Sequence, residues 1–165
     1  MKEYNDYVQT TRGYLKRYNQ FRVAVANLED DIDGMERALS RDIVALPTKD
    51  GGRSRDDPPE INTAETARCE KISLRIQEAQ ESIDSISRIL RKIERAIEAL
   101  DEEKKKLIRG HYIEGKSWRR LALENYLTEK WASEKARRAV KEMSFMIFGK
   151  KPAPRQIDSP FVFFN

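Results

Sequence analysis

A chain of 165 residues has room for one small domain or for two elongated parts, and little more. With 39% hydrophobic and 36% charged residues it lacks the apolar content of a large compact core and suits long helices that each bury a narrow stripe. The net charge of +4 is segregated: residues 104–155 hold 15 Lys/Arg against 5 Glu, a local +10, which leaves −6 for the rest and builds one region to meet a polyanion.

Residues 1–46 follow a heptad. Tyr4, Tyr7, Thr11, Tyr14, Tyr18, Phe21, Val25, Leu28, Ile32, Met35 and Leu39 alternate spacings of three and four, which predicts one long helix with a coiled-coil seam. Gly13 and Gly34 lie off that seam, each costing roughly 1 kcal/mol of helix stability. Pro47, Gly51, Gly52, Pro58 and Pro59 then break the pattern and predict a flexible linker over 47–61. Asn62 follows as an N-cap, with Glu65 completing a capping box. A second seam occupies 62–100: Cys69, Ile72, Ile76, Ala79, Ile83, Ile86, Leu90, Ile93, Ile97 and Leu100. The two seams match in length, on the order of 50 Å at 1.5 Å per residue. They predict an all-α fold in which a long two-helix antiparallel coiled-coil hairpin precedes a small helix-turn-helix domain. An Ile-rich seam also favours a homodimer through the same surface.

Shorter elements are expected over 101–149. Asp101 caps a helix whose first turn holds Glu102 and Glu103, favourable at the positive end of the dipole. Leu107, Ile108, Tyr112 and Ile113 form its apolar face, Gly115 ends it, and Ser117 caps a helix over 118–125. Tyr126 and Leu127 make a short turn, after which Thr128 caps a last helix packed by Ala132, Ala136, Ala139, Val140 and Met143. Small residues inward and polar residues outward suit a helix that enters a major groove. Thr128, Glu129, Lys130, Ser133, Glu134 and Arg137 occupy the positions from which such a helix reaches base edges. Lys116, Ser117, Arg119 and Arg120 are placed to grip phosphates through side chains and free N–H groups, joined by Arg138 and Lys141. Lys104, Lys105, Lys106 and Arg109 extend the basic surface. A plain bundle with solvated basic faces is the alternative. Against it stand the short spacing, the local +10, and the order cap–Trp–apolar–Ala.

That order carries a resemblance. The stretch EGKSWRRLALENYLTEKWASEKARRAVKEM resembles the promoter-reading domain of bacterial sigma factors. It is still more similar to the helix-turn-helix of phage late-transcription activators of the ArpU and RinA kind. Gly115–Lys116–Ser117–Trp118, Leu121–Ala122, Thr128 and Arg138–Ala139 stand where that pattern has them, and Phe145–Met146–Ile147–Phe148–Gly149 resembles its apolar ending. The resemblance covers the C-terminal domain, with the helical N-terminus only loosely matched. It implies a sequence-specific transcriptional regulator whose partners are double-stranded DNA and RNA polymerase. Three positions depart from the pattern. Tyr126 stands where the turn commonly has Gly, which passes the left-handed conformation to Asn125. Lys135 replaces an aliphatic residue. Trp131 replaces a small one, and either packs in the domain or contacts a thymine methyl.

No enzyme is expected. His111 has no Cys, His or clustered carboxylate at ligand spacing, Gly51–Gly52 lacks the strand and helix of a phosphate loop, and Asp30–Asp31 and Asp56–Asp57 read as solvated pairs. Neither cofactor nor metal is anticipated. Cys69, the single cysteine, excludes an intramolecular disulfide framework and reads as a small buried hydrophobe. No stretch approaches the ~18 apolar residues of a membrane span, and MKEYNDYVQT has no apolar leader segment, so a cytoplasmic location without membrane partner is expected. Residues 150–165 read as a flexible tail whose Phe161, Val162, Phe163 and Phe164 dock on the domain or on a partner. Two other functions fit the same layout: a phage DNA-packaging adaptor of the small-terminase type, and a structural interaction protein that binds no DNA.

Overall fold

The computed structural model describes residues 7–44 and 63–149. Tyr4, the 47–61 linker, the Asn62 cap and the 150–165 tail lie outside the described residues. Six α-helices are described: α1 (Tyr7–Lys16), α2 (Tyr18–Val44), α3 (Thr63–Glu98), α4 (Glu102–Ile108), α5 (Trp118–Glu124) and α6 (Glu129–Phe148). A π-helical turn, Arg109–Ile113, continues α4. There is no strand among the described residues, and the fold is all-α. No helix among them is long and apolar enough to cross a membrane.

The first seam does not run through one helix. It is interrupted at Arg17, whose backbone N–H is shared between the carbonyls of Gly13 and Tyr14, each at 3.2 Å. The Arg17 Nε also donates to Gly13 O at 3.3 Å, so two donors compete for one carbonyl and the turn tightens. Contacts divide the chain into two compact units, one from the described residues between Gln20 and Arg88, the other from those up to Asn19 together with those from Ile89 onward.

In the first of these units the heptad governs burial. Phe21, Val25, Leu28, Met35 and Leu39 are half-buried and Ile32 is buried, while most of their neighbours are exposed. On α3, Cys69, Ile72, Ile76, Ala79, Ile83 and Ile86 follow the same rule, with Ala79 the most buried. Arg68 Nε pairs with Asp42 Oδ2 at 3.2 Å, and a shallow cleft is bounded by Leu28 and Met35 on one side and Arg75 and Ala79 on the other. Higher numbers on α2 therefore meet lower numbers on α3, the course of an antiparallel pair.

The second unit holds the short C-terminal helices, and it takes in more chain than residues 101–149. Within it α1 packs across α6 and the π-helical turn, and α4 and α5 also pack on α6. Leu15, Ile93, Ile97, Leu107, Ile108, Leu121, Val140 and Met143 are at most 2% exposed and form its core. Tyr7 and Tyr14 set their rings against Phe148, with centroids 4.9 and 6.3 Å away. Tyr18 Oη donates to Glu94 at 2.8 Å, and Asn19 Nδ2 donates to the Ile113 carbonyl at 2.8 Å. Leu15 explains why α1 joins this unit. Thr11, Tyr14, Leu15 and Tyr18 recur at i, i+3, i+4 and i+7, so an off-seam leucine widens the coiled-coil stripe into the broader face of a globular helix.

Candidate nucleic-acid interface

The helices that carry the candidate residues are started by side-chain caps. Asp101 (φ −62°, ψ 156°) accepts the Lys104 N–H at 2.9 Å and starts α4, as expected. Of the four cations expected to extend the basic surface there, three are ion-paired. Lys104 Nζ meets Glu142 of α6 at 2.7 Å and Asp101 at 3.0 Å. Lys105 meets Glu98 at 3.1 Å and Glu102 at 2.9 Å, and Arg109 also pairs with Glu98. The hydrogen bond from Lys105, its charge and the nearby Arg109 hold the Glu98 carboxyl below the usual carboxylate range. Lys106 alone has no ion pair among the described residues. These groups tie helices together more than they face outward.

Beyond α4 the π-helical turn brings the chain to α5. Gly110 is buried there, and a Cβ at that position would fall inside the contact distance of Leu121 Cδ2. Its carbonyl accepts the Lys116 N–H at 2.9 Å, and Gly115 (φ 70°) ends the element as its position predicts. His111 is held in place by its neighbours. Its Nδ1 donates to the Lys116 carbonyl at 3.0 Å and its ring stacks on Trp118 at 3.8 Å between centroids. Among the described residues no group of His, Cys, Asp and Glu gathers in a way that could hold a metal ion.

Ser117 (φ −71°, ψ 155°) caps α5 by accepting the Arg120 N–H at 3.3 Å, and Leu121 and Ala122 are buried as expected. The turn that follows corrects one expectation. Asn125 has φ −109°, and the left-handed residue is Tyr126, with φ 55°. Leu127 N–H donates to Ala122 O at 2.8 Å and Tyr126 N–H to Leu123 O at 3.4 Å, the bond pair of a Schellman motif. That motif inverts the residue after the C-cap, and Asn125 is the C-cap, its amide spent on the Leu121 carbonyl at 2.8 Å. Tyr126 is 98% exposed, so its side chain contributes no packing there. Tyr126→Gly is therefore expected to stabilise the protein by about 0.5–1 kcal/mol. Relief of ~1–2 kcal/mol of left-handed strain outweighs the ~0.5–1 kcal/mol that glycine costs in chain entropy. Urea unfolding measures it, and an unchanged or lower midpoint would show that the turn holds no such strain.

Thr128 (φ −81°, ψ 153°) caps α6 by accepting the Trp131 N–H at 3.2 Å, and Gly149 (φ 66°) closes it. Ala132, Ala136, Ala139, Val140 and Met143 are all buried, extended by Ser144 and Ile147. Of the base-reading candidates, Thr128, Glu129, Lys130 and Arg137 are exposed, whereas Ser133 and Glu134 are half-buried. Lys135 pairs with Glu103 of α4, which explains a lysine at an aliphatic position: its stem lies half-buried while its ammonium reaches a carboxylate. Trp131 is not in the core. It is 43% exposed, and the Arg138 guanidinium carbon lies 5.3 Å from its ring centroid.

The phosphate-gripping candidates divide. Arg119 is exposed and carries no ion pair among the described residues, as does Lys141. Lys116 Nζ lies 2.9 Å from both Glu114 and Glu124, and Arg120 Nε lies 2.9 Å from Glu124. Hydrogen bonds from Lys116 and then Arg120 lower the Glu124 carboxyl, and those to Glu114 and then Glu124 raise the Lys116 ammonium. Glu124 was invisible as a site residue in the sequence, although its i+4 spacing from Arg120 was the available signal. Solvent screens exposed pairs of this kind, so Arg120, with 68% of its side chain exposed, is readily exchanged onto another anion. In a comparison with known proteins, no protein family, curated protein or solved structure matches the chain.

Proposed function

We propose that the chain binds double-stranded DNA through α5, the Tyr126 turn and α6, and regulates transcription in the manner implied by its resemblance to phage late activators. The observation that carries this reading is a pair of helices, each started by a side-chain cap and joined by a Schellman turn, with Lys130, Arg137 and Lys141 unpaired on the second. By the 3.6-residue period those three cations lie opposite the buried alanines of α6, on the face that a groove would receive. Phosphate contacts supply most of the affinity in such a complex and base contacts supply the choice of sequence. In this reading α2 and α3 form an antiparallel coiled-coil hairpin that sets the oligomeric state or meets RNA polymerase.

Two substitutions test it with promoter and random duplexes side by side. Arg137→Ala is expected to reduce the preference for the selected sequence by about 1–3 kcal/mol. Arg119→Ala is expected to weaken binding to all duplexes alike and to reduce the salt slope by about 1. If both variants bind every duplex as the parent does, this assignment of the interface is wrong.

A further inference from the structure

Arg138 is the tenth residue of α6, well past the first turns from which base edges are normally reached, and by position alone it belongs with the phosphate contacts. Its guanidinium is elsewhere. Residues seven apart share a helix face, and side chains lean toward the helix N-terminus. The guanidinium carbon lies 5.3 Å from the centroid of Trp131, whose Cα is about 10 Å nearer the helix start at 1.5 Å per residue. The charge is thus drawn back from the middle of α6 toward its N-terminal half. Glu134 stands one turn before Arg138, at the spacing of an i,i+4 ion pair, yet Arg138 forms no ion pair with it or with any other described residue. The ring holds the cation where a carboxylate was available. Trp131 is 43% exposed and Arg138 is exposed, so the ring and the cation beside it both lie at the surface. An arginine can rest on an aromatic ring by the face of its guanidinium and still offer its edge donors, and such an edge meets guanine O6 and N7 bidentately.

We infer that Arg138 reads a guanine in the major groove and that Trp131 is the positioning residue that presents it. This rests on the DNA-binding reading above and adds to it a base and the residue that selects it. Trp131 acts through Arg138, so the tryptophan and arginine variants must lose the same base.

The test is selection of bound sequences from random duplexes by the full chain, for the parent, Arg137→Ala, Arg138→Lys, Trp131→Ala and Trp131→Tyr. The parent is expected to select sites with a fixed guanine. Arg138→Lys keeps the charge, so a phosphate contact would survive it. As a base reader it should lose preference for that guanine by roughly 5- to 150-fold, the range of one bidentate contact. Trp131→Ala should lose the same base with random-duplex binding within about two-fold and an unchanged salt slope, because the charge remains. Trp131→Tyr, which keeps an aromatic face, should retain most of the preference. Selection of the parent's sites by Trp131→Ala or by Arg138→Lys would overturn the inference, as would a loss confined to some other base. If Arg137→Ala still shifts the selected site in that event, the DNA-binding reading stands and only the Trp131–Arg138 assignment falls. If no protein in the series selects any duplex, both fall together.

Discussion

Leu15→Ala is expected to lower the stability of the C-terminal unit by about 2–5 kcal/mol, the range for truncating a fully buried leucine whose surroundings collapse only partly. Leu15 has no exposed surface, and α1, which carries it, packs on both α6 and the π-helical turn. The loss combines the transfer of removed methyl groups with the cavity left in the core. Trp118 and Trp131 both belong to this unit, so tryptophan fluorescence during urea unfolding reports on it directly. Val23 is 59% exposed on α2 and gives the contrast: Val23→Ala should stay within about ±0.5 kcal/mol. A change as small as that for Leu15→Ala would show that α1 is no part of the core.

Gly110→Ala is the second large effect, for the opposite physical reason. The added Cβ would press on Leu121 Cδ2, and Leu121 is only 2% exposed, so its side chain has no open space to rotate into. Overpacking of this kind costs about 1–3 kcal/mol, offset by up to ~1 kcal/mol from the better helix propensity of alanine. Gly110→Val should cost more. The consequence reaches beyond stability, because Gly110 O holds the Lys116 N–H and Leu121 anchors α5. Forcing the two apart shifts the first helix of the proposed interface. Leu121→Ala on top of Gly110→Ala should cost clearly less than the sum of the two single changes, since it removes the atom that is struck. Additive costs would mean that the two residues are not in contact.

Much of this was legible from local chemistry. Ser117, Thr128 and Asp101 are caps because each carries a side-chain acceptor placed to meet the free N–H three residues on. The buried stripe of α6 and both heptad seams follow from period alone. What escaped the sequence is what depends on a neighbour from elsewhere in the chain. Leu15 sits off the heptad and becomes core where α1 packs on α6 and the π-helical turn. The break at Arg17 and the π-helical turn arise where backbone hydrogen bonds have competing partners. Tyr126 takes the left-handed position against its own preference because the Schellman bonds assign that role to its place in the turn. In the candidate site, exposure of Lys130 and Arg137 was readable from helix phase, whereas the pairing of Lys116 and Arg120 with Glu124 was not. Charge counting treats every cation as available, and here several are already neutralised within the protein.

That distinction sharpens the direct test of the central claim, which is duplex binding by the full chain followed as a function of salt. Arg119 and Lys141, the phosphate candidates with no ion pair among the described residues, release counterions on binding without first losing a partner. Two such contacts predict that log K falls linearly with log salt, with a slope of about −2 or steeper for each bound chain. Failure to bind any duplex at low ionic strength, or an affinity indifferent to salt, would contradict the account.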